Sequence, residues 1–69
     1  QYDKAVERYQ QVVEIDPNNI KGYYALAQVY QSTGKVQKAI NTYQKCLTLS
    51  KDASLRSDIE QIIKKLKSN

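Results

Sequence analysis

One cysteine, no histidine, seven carboxylates and six tyrosines set the chemistry open to this 69-residue chain. Nucleophilic catalysis needs a thiol or hydroxyl next to a base that takes its proton. Cys46 is the only thiol, and with no histidine no ordinary base is ready to activate it. A lone cysteine closes no intrachain disulfide, and the usual zinc ligand sets of Cys and His are out of reach. No glycine-rich phosphate loop and no carboxylate cluster appears, so the sequence assigns no catalytic residue, no cofactor and no metal, and an enzyme is not expected. What remains is recognition chemistry, with tyrosines that stack and hydrogen-bond and lysines that meet anions.

The charge is uneven. Residues 1–34 carry Lys4, Arg8 and Lys21 against Asp3, Glu7, Glu14 and Asp16, whereas the remainder carries eight bases against Asp52, Asp58 and Glu60, which yields the net charge of +4. Lys64, Lys65 and Lys67 are the densest cluster. Such a cluster can meet phosphates or an acidic surface. It also favours the negative carboxyl end of a helix, so a nucleic-acid partner is disfavoured and protein binding is retained. No apolar run approaches the roughly 20 residues that span a bilayer. The start, Gln1 to Gln11, is charged and has no apolar stretch of the kind a secretory leader carries.

Positioning these side chains falls to helices, because the two glycines and one proline are too few for a turn-rich β fold. Tyr2, Ala5, Val6, Tyr9, Val12 and Val13 recur at spacings of three and four, which predicts an amphipathic helix over Tyr2 to Ile15. Asp16-Pro17-Asn18-Asn19 ends it and offers a cap to the next. A second helix, about Ile20 to Ser32, carries Tyr23, Leu26, Ala27 and Tyr30 on one stripe, and Gly34 beyond its end suits a left-handed closing residue. A third, about Val36 to Leu49, carries Val36, Ala39, Ile40, Tyr43, Cys46 and Leu47. The short link Gly34-Lys35 forces an antiparallel hairpin between the second and third. A fourth, about Asp52 to Lys67, carries Leu55, Ile59, Ile62, Ile63 and Leu66. Tyr2, Tyr9, Tyr23, Tyr30 and Tyr43 lie on core stripes and are read as packing residues, and Cys46 as a buried, inert thiol.

The first and third helices repeat one another at an offset of 34 residues: Lys4 falls on Lys38, Ala5 on Ala39, Tyr9 on Tyr43 and Gln10 on Gln44. Apolar type recurs as well, with Val6 on Ile40, Val13 on Leu47 and Ile15 on Leu49. At that offset Ser57, Glu60, Gln61 and Lys64 replace the stripe of the second helix, so the fourth is expected to be a terminal cap with a polar outer face.

Tyr23-x2-Leu26-Ala27-x2-Tyr30 followed by Ala39-x3-Tyr43 resembles the tetratricopeptide repeat pattern, W-x2-L-G-x2-Y and then A-x3-F. Tyr replaces Trp, Ala replaces Gly, Tyr replaces Phe, and Lys51 stands where Pro17 leads one to expect a proline. The resemblance implies an all-α solenoid of antiparallel helical hairpins. Gln1 to Asn19 would be the second helix of an incomplete repeat, Ile20 to Ala53 a complete one, and Ser54 onward a capping helix. The chain is expected to be the carboxyl-terminal piece of a longer array. Its first helix then has no partner on one side, which makes self-association through that face a second expectation.

The resemblance also implies binding of a protein or peptide in a concave groove lined by the first helix of each repeat. On the face away from the core stripe stand Lys21, Tyr24, Ala25, Gln28, Gln31 and Ser32, the candidate partner-binding residues. Lys21 could pair with a carboxylate, Tyr24 could stack or hydrogen-bond, and Gln28 and Gln31 could meet peptide backbone. Tyr24, an aromatic outside the apolar stripe, is the strongest of these. Some family members grip chaperone tails through a Lys-Asn-Asn-Lys-Arg set. Lys21 matches one lysine of that set, but Ala25 stands where an arginine belongs and the second helix has no groove asparagine, so that ligand is disfavoured.

Overall fold

The computed structural model describes residues 2–68, and at Tyr2 the backbone alone, so the packing expected of the Tyr2 side chain lies outside the described residues. Four helices follow one another, α1 (Tyr2–Ile15), α2 (Ile20–Ser32), α3 (Val36–Leu49) and α4 (Ala53–Lys67). Each packs on the next, and no Cα of α2 comes within 8 Å of one of α4. The chain therefore zigzags between two layers, with α1 and α3 in one and α2 and α4 in the other.

The links explain where each helix stops. After α1, Pro17 blocks continuation, and the Asn19 side chain accepts the Gly22 N–H at 2.9 Å, satisfying a donor that the first turn of α2 leaves without a partner. After α2, Gly34 takes φ +78, the Gly34 N–H reaches the Gln31 carbonyl at 3.2 Å, and the Lys35 N–H reaches that of Tyr30 at 2.9 Å. That pair of bonds is a Schellman closure, and it needs a residue at ease with positive φ. After α3, Asp52 is itself the cap of α4 rather than its first residue, accepting from the N–H groups of Ser54 and Leu55.

The core runs through all the interfaces: Leu26, Ala27, Tyr30, Ala39, Ile40, Tyr43, Cys46, Ile59 and Ile63 are buried, with Val6 and Tyr9 of α1 packed against them. Tyr30 and Tyr43 lie inside as expected, while Tyr9 and Tyr23 are half-buried at its edge. Tyrosine in a core needs a partner for its hydroxyl. The Tyr43 hydroxyl donates to Gln31 Oε1 at 2.8 Å, and the Tyr30 hydroxyl accepts from Gln10 Nε2 at 3.0 Å. Lys38 and Lys45 sit over the rings of Tyr30 and Tyr23 at 5.8 and 6.0 Å, so their charges lie on aromatic faces of the opposite layer. Ile15, expected to repeat Leu49, is 85% exposed because nothing packs against the end of α1 among the described residues.

One polar device joins α3 to α4. The half-buried Arg56 directs Nη1 at the carbonyl oxygens of Leu47 and Ser50, so a cation from α4 closes the carboxyl end of α3. Replacing it with methionine keeps much of the apolar stem and removes both bonds. We expect Arg56→Met to cost about 1–2 kcal/mol, a fall of roughly 5–15 °C in Tm for a domain of this size, with Arg56→Lys recovering part of it. Thermal unfolding followed by circular dichroism reads this directly, and an unchanged Tm for Arg56→Met would remove the role.

Candidate partner-binding groove

Between α2 and α4, which share a layer with no Cα of one within 8 Å of the other, an open groove is left. At one end, about 410 Å³ is bounded by Ile20, Lys21, Tyr24, Ala25 and Gln28 of α2 and by Leu55 of α4. At the other, about 650 Å³ is bounded by Tyr24 again and by Asp58, Gln61, Ile62, Lys64 and Lys65 of α4, with Ser68 after it. Tyr24 borders both ends. Its half-buried ring stands edge-on to Tyr43, centroids 5.8 Å apart and planes at 78°. Tyr43 is 1% exposed, so Tyr24 rests on the rigid core while its other side faces the groove.

Of the six residues singled out from the sequence, Lys21, Tyr24, Ala25 and Gln28 come together here. Gln31 and Ser32 border neither end, and Gln31 instead holds the Tyr43 hydroxyl from the exposed side. Asp58, Gln61, Lys64 and Lys65 were not anticipated as groove residues.

Comparison with known proteins now has a geometry to refer to. The family described as "TPR repeat" matches residues 1–34, and that described as "Tetratricopeptide repeat" matches residues 20–52. The chain belongs to the tetratricopeptide repeat family. A TPR repeat-containing protein of Methanocaldococcus jannaschii is 31% identical over 67 residues, 97% of this chain and 12% of the relative. The small glutamine-rich tetratricopeptide repeat-containing protein 2 of Saccharomyces cerevisiae is 30% identical over 69 residues, covering 96% of this chain and 20% of that protein. This chain thus spans a fifth or less of either relative. TPR repeats mediate protein–protein interaction, and the groove is read in that light.

The TPR period explains why the α4 residues were missed. The link from α1 to α2 has four residues, 16–19, while that from α3 to α4 has three, 50–52, so α4 repeats α2 at an offset of 33 and not 34. Cap falls on cap, Asn19 on Asp52, and buried residue on buried residue, Leu26 on Ile59 and Tyr30 on Ile63. At this offset Ala25, Gln28, Gln31 and Ser32 correspond to Asp58, Gln61, Lys64 and Lys65, all four of them in the groove. The caps, Asn19 and Asp52, were the sequence signal that would have set the register.

Beneath the groove, burial governs the ionisable groups. The Cys46 thiol is fully buried and its pKa is pushed up to about 11, chiefly by desolvation, with a hydrogen bond to its own backbone working the other way. The Tyr43 phenol is pushed up to about 12 by burial first, then by Tyr24 and Cys46. A thiol held neutral does not act as a nucleophile at ordinary pH. Among the described residues no group of three or more His, Cys, Asp or Glu could hold a metal ion, and no helix is long and apolar enough to cross a membrane. Both raised groups hold their protons longer in the fold than in the unfolded chain. The stability they contribute is whole below about pH 8.5, where an unfolded thiol begins to ionise, and is lost as the pH climbs toward 11 and beyond. Urea unfolding at pH 8, 9 and 10 should therefore give a falling stability, with a shallower fall for Cys46→Ala. Equal slopes would show that the thiol has no share in it.

Proposed function

We propose that the groove between α2 and α4 holds an extended peptide or partner segment, with Tyr24 as its anchor, and that the chain is a binding module and not an enzyme. The observation that carries this reading is the position of Tyr24, an aromatic ring fixed against the core at the junction of the two ends of the groove. Binding energy concentrates on rigid aromatic residues that lose little conformational freedom, and a ring braced on a buried neighbour fits that description. Lys21 adds a cation at one end, and Gln28 offers both a donor and acceptors to peptide backbone. A peptide-library pull-down comparing wild type with Tyr24→Ala and Lys21→Ala tests the assignment. We expect retention to fall about tenfold or more for Tyr24→Ala and severalfold for Lys21→Ala. Equal capture by all three would remove it.

A second reading, self-association through α1, is favoured by a difference in burial. Ala39, Ile40, Tyr43 and Cys46 of α3 are buried between two neighbouring helices, whereas their counterparts Ala5, Val6, Tyr9 and Val12 in α1 are half-exposed with one neighbour. An apolar face left half-open is a surface for a second copy. Sedimentation equilibrium should show a dimer at high micromolar concentration that Ile15→Lys, at an exposed apolar position of α1, shifts back to monomer, and a monomer throughout would exclude it.

A further inference from the structure

We infer that Gln31 is a positioning residue: through the hydroxyl of Tyr43 it fixes the ring of Tyr24 in the orientation that faces a ligand. For the ligand this rests on the groove reading above, whereas the orientation of the ring stands by itself. Tyr24 and Gln31 are seven positions apart on α2, two turns of helix and about 10 Å along its axis at 1.5 Å per residue, so they share one face. Tyr43 of α3 reaches both. Its ring meets that of Tyr24 edge-on, centroids 5.8 Å apart, and its hydroxyl donates to Gln31 Oε1 at 2.8 Å.

A phenol hydroxyl lies on the long axis of its ring, so a bond at the hydroxyl fixes where that axis points. An edge-to-face pair is held by the angle and offset between its two rings, and an axis fixed in Tyr43 therefore fixes the seat of Tyr24. Gln31 is exposed and Tyr43 is buried, so the bond ties a core ring to the surface of the neighbouring helix.

The family pattern, A-x3-F, has phenylalanine where Tyr43 stands, and phenylalanine has no hydroxyl to tether. Filling the core at this position needs only the ring. The hydroxyl is what this chain adds, and it brings a polar group inside that must find a partner. Among the described residues no buried side-chain nitrogen or oxygen lacks one. If satisfying that hydroxyl were the whole role of Gln31, removing the hydroxyl and leaving Gln31 in water would change nothing else.

The test uses the whole chain and reads the NOEs between the rings at positions 24 and 43, assigned with the help of Tyr24→Phe, together with the peptide-library pull-down. Gln31→Leu strands the hydroxyl and should lower Tm by roughly 5–15 °C. Tyr43→Phe removes the hydroxyl and keeps the ring, so its Tm should stay close to that of wild type. Both variants should nevertheless weaken the NOEs between the two rings, and library retention by Tyr43→Phe should fall about threefold or more as the anchor loses its fixed orientation. Gln31→Glu offers a carboxylate oxygen to the same hydroxyl and should keep the NOEs of wild type. Gln37→Leu, at an exposed position of α3, should alter neither the NOEs nor the retention. Unchanged NOEs in Tyr43→Phe overturn the inference. Wild-type retention by Tyr43→Phe, where Tyr24→Ala loses it, overturns it as well. Full retention by Tyr24→Ala removes the groove reading instead, and the NOEs then decide the inference alone.

Discussion

Close approach of α2 to its two neighbours is the constraint on which the remainder depends. A Cβ on Gly22 would sit 3.0 Å from methyl groups of both Val12 and Val13, so the absence of a side chain there sets how near α1 can come. Toward α3 the same role falls to Ala27 and Ala39, each with no exposed surface. Small residues let backbones approach, and the larger Tyr30, Ile40 and Tyr43 then fill the space on either side at interior density. With two faces of α2 committed to neighbours, the third, bearing Lys21, Tyr24, Ala25 and Gln28, is left as the wall of a groove.

Helices that pack chiefly on their sequential neighbours gain stability interface by interface. A helix with two neighbours buries its stripe fully, as α3 does, and a helix with one leaves it half-open, as α1 does. Every junction carries its own polar closure: Asn19 for α2, the Gly34 turn between α2 and α3, and Arg56 together with Asp52 between α3 and α4. These closures fix the angle at which each helix leaves its link, which apolar stripes alone would leave loose. Orientation matters here because the groove is the gap between two helices that are each placed by a third, α3.

The helices and most of the core were legible in the sequence because they depend on periodicity, which a single chain displays in full. Nothing in the spacing shows that Val12 and Val13 come against Gly22, or that the end of α3 lies beside Arg56. Both depend on contacts between different helices, about which spacing within one helix is silent. Tyr24 was legible as an aromatic off the stripe, whereas Gln31 was read as a free groove residue although its side-chain oxygen is engaged by the hydroxyl of Tyr43. The α4 side of the groove was obscured by the assumption of a constant period.

That one-residue difference in link length has a chemical consequence. Successive residues on a helix are turned by about 100°, so the phase at which α4 docks decides which of its side chains face α2. The three-residue link places Leu55, Ile59 and Ile63 toward the core, brings Arg56 to the carbonyls of Leu47 and Ser50, and turns Lys64 and Lys65 into the groove. At the phase of a four-residue link, the positions equivalent to Ala25 and Ser32 would be Ile59 and Leu66, and the groove would be oily where it is now cationic. The charge of the groove face thus follows from the length of a link outside it. In a repeat fold, the register between units is part of the specification of the site.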